Sequence, residues 1–214
     1  MTLATAAPAS AAVITLDFEG IGDLTGVGNY YNGGDGINYG IGFSDDTLAL
    51  VDSDAGGSGN FANEPSADTV MFFLDSNTAI LNYAAGFTTG FSFYYSSATA
   101  ATVTIYSGVD KTGSVLGTIN LAAQHTQNCG GDPNGTFCNW TNIGTTFAGT
   151  ARSIDFGGTA NFTAYDNITF GSAVAGGGTG AVPEPATWAM MIGGFGAIGG
   201  AMRNRRRKTT VSFA

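Results

Sequence analysis

Short segments in which apolar and polar residues alternate recur through the first 172 residues of the chain. Within residues 101–106, for example, Val103 and Ile105 are separated by threonines, and this period of two is typical of a half-buried β-strand. Clusters of Gly, Asn, Asp and Ser fill the gaps and favour turns. The pattern predicts strands at residues 13–18, 41–43, 47–51, 69–74, 79–83, 90–95, 101–106, 114–121, 152–156 and 162–170.

No window in this part of the chain has the periodicity of an amphipathic helix, and strands do not alternate with helices. Many short strands bounded by turn residues favour two packed antiparallel sheets. We therefore expect an all-β fold, an antiparallel jelly-roll-like β-sandwich over residues 13–172. A flexible, Gly-rich linker is expected to follow at residues 173–182.

The last part of the chain is apolar and then strongly basic. Residues 186–202 carry no charge and would form a helix about 25 Å long, near the thickness of the bilayer core. A basic cluster at 203–208 follows, as expected on the cytoplasmic side of a membrane. The sequence predicts a single C-terminal transmembrane helix at 186–202. The alternative is a buried helix or hairpin of the domain, which would place five cations beside a core element.

The charge of the chain is divided between these two parts. The chain has 16 acidic and 7 basic residues, for a net charge of -9, and five of the basic residues lie in the cluster at 203–208. The body before the tail is therefore acidic. An acidic surface repels phosphate, so we expect no nucleic-acid partner.

The tail also carries a specific arrangement of residues. Pro183-Glu184-Pro185 precede Trp188-Ala189, a Gly-rich apolar run and a closing arginine cluster. This order resembles the PEP-CTERM sorting signal in its PEPxxWA variant, over residues 183–208, with 209–214 as a short tail. The residues that carry the resemblance are Pro183, Glu184, Pro185, Trp188, Ala189, Arg203, Arg205, Arg206 and Arg207.

The resemblance implies a partner and a destination. Its partner would be an exosortase, a membrane protease-transpeptidase that removes the anchor near the Pro-Glu-Pro. The precursor would be anchored in the inner membrane by its C-terminal helix. The processed protein would then reach the cell surface or the extracellular matrix of a bacterium with an outer membrane, in association with biofilm or exopolysaccharide.

Residues 1–12 agree only partly with an export signal. Ala9-Ser10-Ala11 resembles a signal-peptidase cleavage site, but the segment has no cation and no long apolar run. Two interpretations stay open: a remnant of a signal peptide whose true start lies upstream, or a disordered leader. The first places the mature N-terminus near Ala12 or Val13.

The only two cysteines, Cys129 and Cys138, lie close together in a loop-like stretch. An even number of cysteines in an exported chain favours a disulfide. A zinc site is the alternative, but it needs four ligands and only His125 lies nearby. We expect a disulfide between Cys129 and Cys138.

Acidic residues at both ends of the predicted sandwich are candidate metal ligands. The segments around Asp17, Glu19 and Asp166 resemble the terminal strands of exported sandwich domains such as carbohydrate-binding modules. That resemblance implies a structural Ca²⁺, which takes six to eight oxygen ligands. The alternative is three ordinary solvated acids.

Aromatic residues on the Gly-rich stretch at residues 29–42 allow a second ligand. Tyr30, Tyr31 and Tyr39 could form a platform for a polysaccharide, or they could attach the loop to the core.

Catalysis has little support in the sequence. The single histidine has no neighbouring nucleophile, and no nucleophile elbow, phosphate loop or zinc-protease motif is present. We expect a non-catalytic surface or matrix protein. The alternatives are a carbohydrate-binding domain with a structural calcium and, third, a glycoside hydrolase, which would need two carboxylates across a cleft.

Overall fold

A computed structural model describes residues 13–127 and 135–177, together with Phe195, Gly199, Gly200 and Met202 of the tail. The chain divides into two compact units, residues 1–178 and 179–214. The predicted leader at 1–12, the residue Cys129 and nearly all of the sorting segment lie outside the described residues.

Ten strands and one 3₁₀ turn at Ser53–Ala55 form the secondary structure of residues 13–127 and 135–177. All ladders between these strands are antiparallel, which confirms the all-β antiparallel class. The strands are β1 (Ile14–Leu16), β2 (Thr25–Gly26), β3 (Ile41–Phe43), β4 (Leu48–Val51), β5 (Thr69–Phe72), β6 (Thr78–Ser97), β7 (Ala101–Tyr106), β8 (Val115–Leu121), β9 (Thr141–Gly157) and β10 (Thr163–Phe170).

Two long strands, β6 and β9, connect two groups of shorter strands, one that contains β3 and β7 and one that contains β10. The first part of β6 pairs with β3 and with the end of β9, which in turn pairs with β7. The second part of β6 pairs with β10 and with the beginning of β9. The register of β6 against β9 shifts between Asn82 and Phe87 and again before Thr89, so each part of β6 has its own partners.

Aromatic side chains from both groups meet in one core, an arrangement that fits a β-sandwich. Phe156, near the end of β9, lies 6.0 Å from Phe93 of β6 and 4.9 Å from Tyr165 of β10, measured between ring centroids. All three side chains are buried. Burial of large aromatic side chains is the main source of stability in such a core. The jelly-roll topology proposed from the sequence stays an interpretation of this arrangement.

A second, smaller hydrophobic cluster lies on the opposite face of β5. Met71 belongs to the main core, whereas its neighbours Val70 and Phe72 belong to the second cluster, as strand alternation requires. Two loop residues, Phe61 and Phe137, cover this cluster and form a parallel bridge with each other. The loop before β5 and the loop before β9 are thus joined over the sheet.

The predicted transmembrane helix at 186–202 falls mostly outside the described residues. The four described residues of the tail are helical. Within the part of the chain that the structure describes, no helix has the length and apolar character needed to cross a bilayer. The transmembrane helix therefore stays a prediction.

Candidate functional site

The first and last strands of the domain pair with each other and bring their acidic residues together. β1 lies antiparallel to β10, with Leu16 opposite Ile168. β1 ends at Leu16, and Phe18 is buried with a left-handed φ of 62°. Strand alternation therefore does not place Asp17 and Glu19 on a common face. Instead, Glu19 reaches the loop that leads into β5.

Asp166 is the most deeply buried acidic residue of this group. None of its surface is exposed, and its carboxylate accepts hydrogen bonds from the backbone N–H of Ser66 at 2.8 Å and of Asn167 at 2.6 Å. The Ser66 hydroxyl lies 2.8 Å from each carboxylate oxygen. Asn167 has a positive φ of 49° within an irregularity of β10. This bulge brings the Asn167 N–H onto the neighbouring carboxylate.

Glu19 fixes the start of β5. Its Oε1 accepts hydrogen bonds from the N–H groups of Asp68 and Thr69 at 3.0 and 2.9 Å, and its Oε2 accepts one from the Thr69 hydroxyl at 3.1 Å. The Asp17 carboxylate accepts a weaker bond from the Glu19 N–H at 3.3 Å. We call Glu19, Ser66, Asp166 and the main-chain carbonyl of Asp17 the terminal-strand cluster.

Ser66 lies at the centre of this cluster, although no motif in the sequence predicts a role for it. Its Oγ lies 3.2 Å from the carbonyl oxygen of Asp17 and 3.4 Å from Oε1 of Glu19, in addition to the two Asp166 oxygens. The serine is separated by about 50 residues from Glu19 and by 100 from Asp166. No local pattern in the sequence marks such a long-range contact.

The electrostatics of the cluster are unfavourable for a second negative charge. Burial raises the pKa of Asp166 to about 7, and the nearby charge of Glu19 adds to this effect against the hydrogen bonds from Ser66 and Asn167. The two cations in residues 13–127 and 135–177 are engaged elsewhere. Lys111 pairs with Asp155 at 3.4 Å, and Arg152 donates to the carbonyls of Ala84 and Ser107.

The oxygen atoms of the cluster partly suit a hard cation. One hydroxyl proton on Ser66 faces four acceptor oxygens, and it can be donated to only one or two of them. However, no group of three or more His, Cys, Asp or Glu side chains within the described ranges is arranged to hold a metal. Two carboxylates, a carbonyl and a hydroxyl would need water molecules to complete the six to eight ligands of Ca²⁺. The calcium site stays a prediction.

The three tyrosines of the loop at 29–42 pack onto the domain. Tyr31 is buried and its hydroxyl accepts a hydrogen bond from the Phe18 N–H at 2.9 Å. Tyr30 donates to the carbonyl of Glu19 at 3.2 Å and packs edge-on against Tyr31 at 4.9 Å. Tyr39 stacks on Tyr31 at 6.3 Å. This geometry favours attachment of the loop to the core over a platform for a polysaccharide.

The described residues on both sides of the loop that contains Cys129 are hydrogen-bonded within the domain. Cys138 is buried, and its N–H donates to the carbonyl of His125 at 3.0 Å. The buried Gln124 side chain donates to the carbonyls of Tyr95 and Asn139 at 3.0 and 3.1 Å. No cysteine among the described residues is free. Because Cys129 lies outside them, its pairing with Cys138 stays a prediction.

The C-terminal tail matches the model of a known protein-sorting motif. A family model described as "PEP-CTERM protein-sorting motif" matches residues 181–207. The chain carries a PEP-CTERM protein-sorting motif. PEP-CTERM motifs indicate export to the cell envelope or surface and imply processing by an exosortase. The matched range contains every residue predicted for the signal from Pro183 to Arg207.

Outside the PEP-CTERM motif, similarity to known proteins is weak. No curated protein matches the chain significantly. The K2 cleaved adhesin domain of Lys-gingipain is 13% identical over 74% of this chain and 99% of its own, with a TM-score of 0.47. A family 6 carbohydrate-binding module, CsCBM6-3 from Clostridium stercorarium solved with cellobiose, is 16% identical over 59% of this chain and 82% of its own, with a TM-score of 0.36.

Proposed function

We propose that this chain is an exosortase-processed protein of the cell surface or extracellular matrix, associated with biofilm or exopolysaccharide. In this proposal its β-sandwich domain is non-catalytic, and its precursor is anchored in the inner membrane by the helix at 186–202. The observation that carries the proposal is the sorting motif at residues 181–207. Proline disfavours helical backbone at its own position and at the residue before it, so the two prolines beside Glu184 would favour an extended segment, the form a protease can bind.

The hydrogen bonding and burial of Glu19 and Asp166 support a non-catalytic role for these two acids. Glu19 and Asp166 are both held by backbone N–H groups, and Asp166 has no exposed surface. A glycoside hydrolase needs two carboxylates that reach substrate across a cleft. The His125 ring packs on Phe137 at 5.2 Å, an aromatic contact of the second cluster.

Cell fractionation with mass spectrometry of the full chain tests this proposal. In a bacterium that contains an exosortase, we expect the wild-type protein outside the inner membrane without its basic cluster at 203–208. The variant Pro183→Ala/Glu184→Ala/Pro185→Ala should stay in the inner membrane at full length. Thr209→Ala, which lies just beyond the matched motif, should be processed like wild type. External protein that retains the arginine cluster would contradict the proposal.

A carbohydrate-binding domain with a structural calcium is a second candidate. The observation that favours it is the excess of acceptor oxygens around the Ser66 hydroxyl. In this candidate, Asp166, Glu19 and the carbonyl of Asp17 would hold the ion, which would join the terminal strands to the loop before β5. The ion would thus stabilise the fold without taking part in catalysis.

Calcium removal and glycan binding test this second candidate together. We expect Ca²⁺ to raise the melting temperature and EDTA to lower it, because an ion that binds only the folded state stabilises that state. Glu19→Gln should weaken the response to Ca²⁺, whereas the exposed Asp46→Asn should leave it unchanged. Calcium-dependent retention on a glycan array would support this candidate over the first, and an unchanged melting temperature would contradict the ion site.

A further inference from the structure

The chain that leaves β10 does not depart directly from the domain. Residues 171–177, which we call the exit strap, cross the sheet from β10 over β6 to β9. The N–H of Gly171 donates to the carbonyl of Gly90 at 2.9 Å, and the Ser92 hydroxyl donates to the carbonyl of Ser172 at 2.9 Å. The first part of the strap is therefore bonded to the second half of β6.

Two glycines make room for the strap on the sheet. A Cβ at Gly90 would lie 2.7 Å from the carbonyl carbon of Ser172, and one at Gly144 would lie 2.3 Å from the carbonyl oxygen of Ala173. Gly144 lies opposite Ser92 in the β6–β9 ladder, so the two glycines belong to neighbouring strands. Only residues without a side chain allow the strap to lie this close to the sheet.

Asn142 holds the second part of the strap. Its Nδ2 donates to the carbonyl of Ala175 at 3.3 Å and its Oδ1 accepts from the N–H of the same residue at 3.3 Å, as a paired strand would. The N–H of Gly176 donates to the Thr169 hydroxyl at 3.0 Å. Ala175 is 5% exposed. The strap thus stays attached at least to Gly176.

The strap shortens the chain available in front of the sorting motif. From Gly177 to Pro183 there are six residue steps, a maximum of about 20 Å at roughly 3.3–3.6 Å per residue. Without the strap, the thirteen steps from Phe170 would reach about 45 Å. A domain of this size has a radius of gyration of about 15 Å, so the difference is comparable to the domain itself.

We propose that the exit strap, through Asn142 and the Gly90–Gly144 surface, limits the rate at which an exosortase processes the sorting motif. The proposal rests on the function proposed above. A protease binds several extended residues around its cleavage site, and a short connection keeps the folded domain close to the enzyme. Asn142 is a positioning residue in this process, because it acts through the strap and does not contact the cleavage site.

Hydrogen exchange of the full chain in detergent tests the docking of the strap. Asn142→Ala removes both side-chain bonds to Ala175, and we expect the amides of Ala175 and Gly176 to exchange at least about tenfold faster than in wild type. Thr146→Ala, an exposed change on the same strand, should leave both rates unchanged. Equal exchange in wild type and Asn142→Ala would overturn the proposal.

Pulse-chase processing in an exosortase-containing bacterium tests the role of chain length. Asn142→Ala should be processed several-fold faster than wild type. Insertion of seven Gly and Ser residues between Gly177 and Gly178, which leaves the strap docked, should accelerate processing similarly, whereas Thr146→Ala should not. An unchanged or slower rate for the insertion would overturn the strap proposal. Failure of the wild-type chain to be processed at all would instead overturn the proposed function.

Discussion

Asp166 connects two distant parts of the domain, but burial makes the ionisation of its carboxyl group unfavourable. Its carboxylate joins β10 to the loop before β5 through Ser66, yet no cation in the described ranges compensates its charge. Burial therefore favours its protonated form and raises its pKa to about 7 from an ordinary value of 3.8. The folded state binds this proton more tightly than the unfolded state.

We expect the stability of the metal-free domain to depend on Asp166 between about pH 4 and pH 7. Because the folded pKa is raised, this residue favours folding least above pH 7 and progressively more as the pH falls toward 4. In urea unfolding with EDTA, moving from pH 8 to pH 5 should stabilise wild type by about 2 kcal/mol more than Asp166→Asn.

The control for this measurement is Asp46→Asn, an exposed change that should keep the wild-type pH dependence. If Asp166→Asn and wild type show parallel pH profiles, the buried carboxyl does not titrate in this range and the prediction is wrong.

At the scale of elements, the irregularity between Asn82 and Thr89 separates the two parts of β6 that pair with different strands. Gly86 lies in this irregularity with a φ of +79°, and a Cβ there would meet Thr150 Cγ2 at 2.5 Å and the Ala151 carbonyl oxygen at 2.9 Å. The left-handed conformation and the close approach of β9 both require glycine.

Gly86→Ala should therefore destabilise the domain by about 1–3 kcal/mol, because the side chain adds backbone strain and a clash with β9. Gly26→Ala is the matched control, since a Cβ at Gly26 has no atom within 4 Å. Urea unfolding of both variants distinguishes them, and equal stabilities would contradict a requirement for glycine at position 86.

The cysteine loop is the second element whose contribution can be measured. It covers the smaller hydrophobic cluster through Phe137, and Cys138 is buried beside it. A Cys129–Cys138 disulfide closes a short loop and should stabilise the domain by about 2–3 kcal/mol. Thiol titration should find no free thiol before reduction and two afterwards. Two reactive thiols in the unreduced, unfolded chain would contradict the disulfide.

At the scale of the whole molecule, the boundary between the two units predicts which part of the chain can fold alone. Residues 1–178 form one compact unit, and its main core and second cluster involve only residues within it. The exit strap ends within one residue of this boundary.

A chain that ends at Gly178 should unfold cooperatively in urea at the same midpoint as the full chain in mild detergent. The matched control is a chain that ends at Phe170, which lacks the strap and should be less stable because Asn142, Ser92 and Thr169 lose their partners. A large loss of stability at Gly178 would show that the domain depends on the tail.

The sequence predicted most strands because alternation depends only on neighbouring residues. It divided β6 into residues 79–83 and 90–95, since the glycines and small residues between them interrupt the pattern. It also missed residues 141–151 of β9, where Gly144 and Gly149 resemble loop residues. In the structure both glycines lie within β9. The exit strap packs closely on Gly144, and the pairing of β9 with β7 begins beyond Gly149, at Ser153.

The sequence by itself determined the all-β class, the acidic charge of the body and the sorting motif. Each depends only on which residues are present and on their order over short stretches of the chain. Only the tertiary structure decided that Ser66 joins Glu19 to Asp166, that Tyr31 is buried, and that the exit strap lies on the sheet. These features depend on contacts between residues far apart in the chain. Such contacts arise from the packing of the whole domain, which no local pattern records.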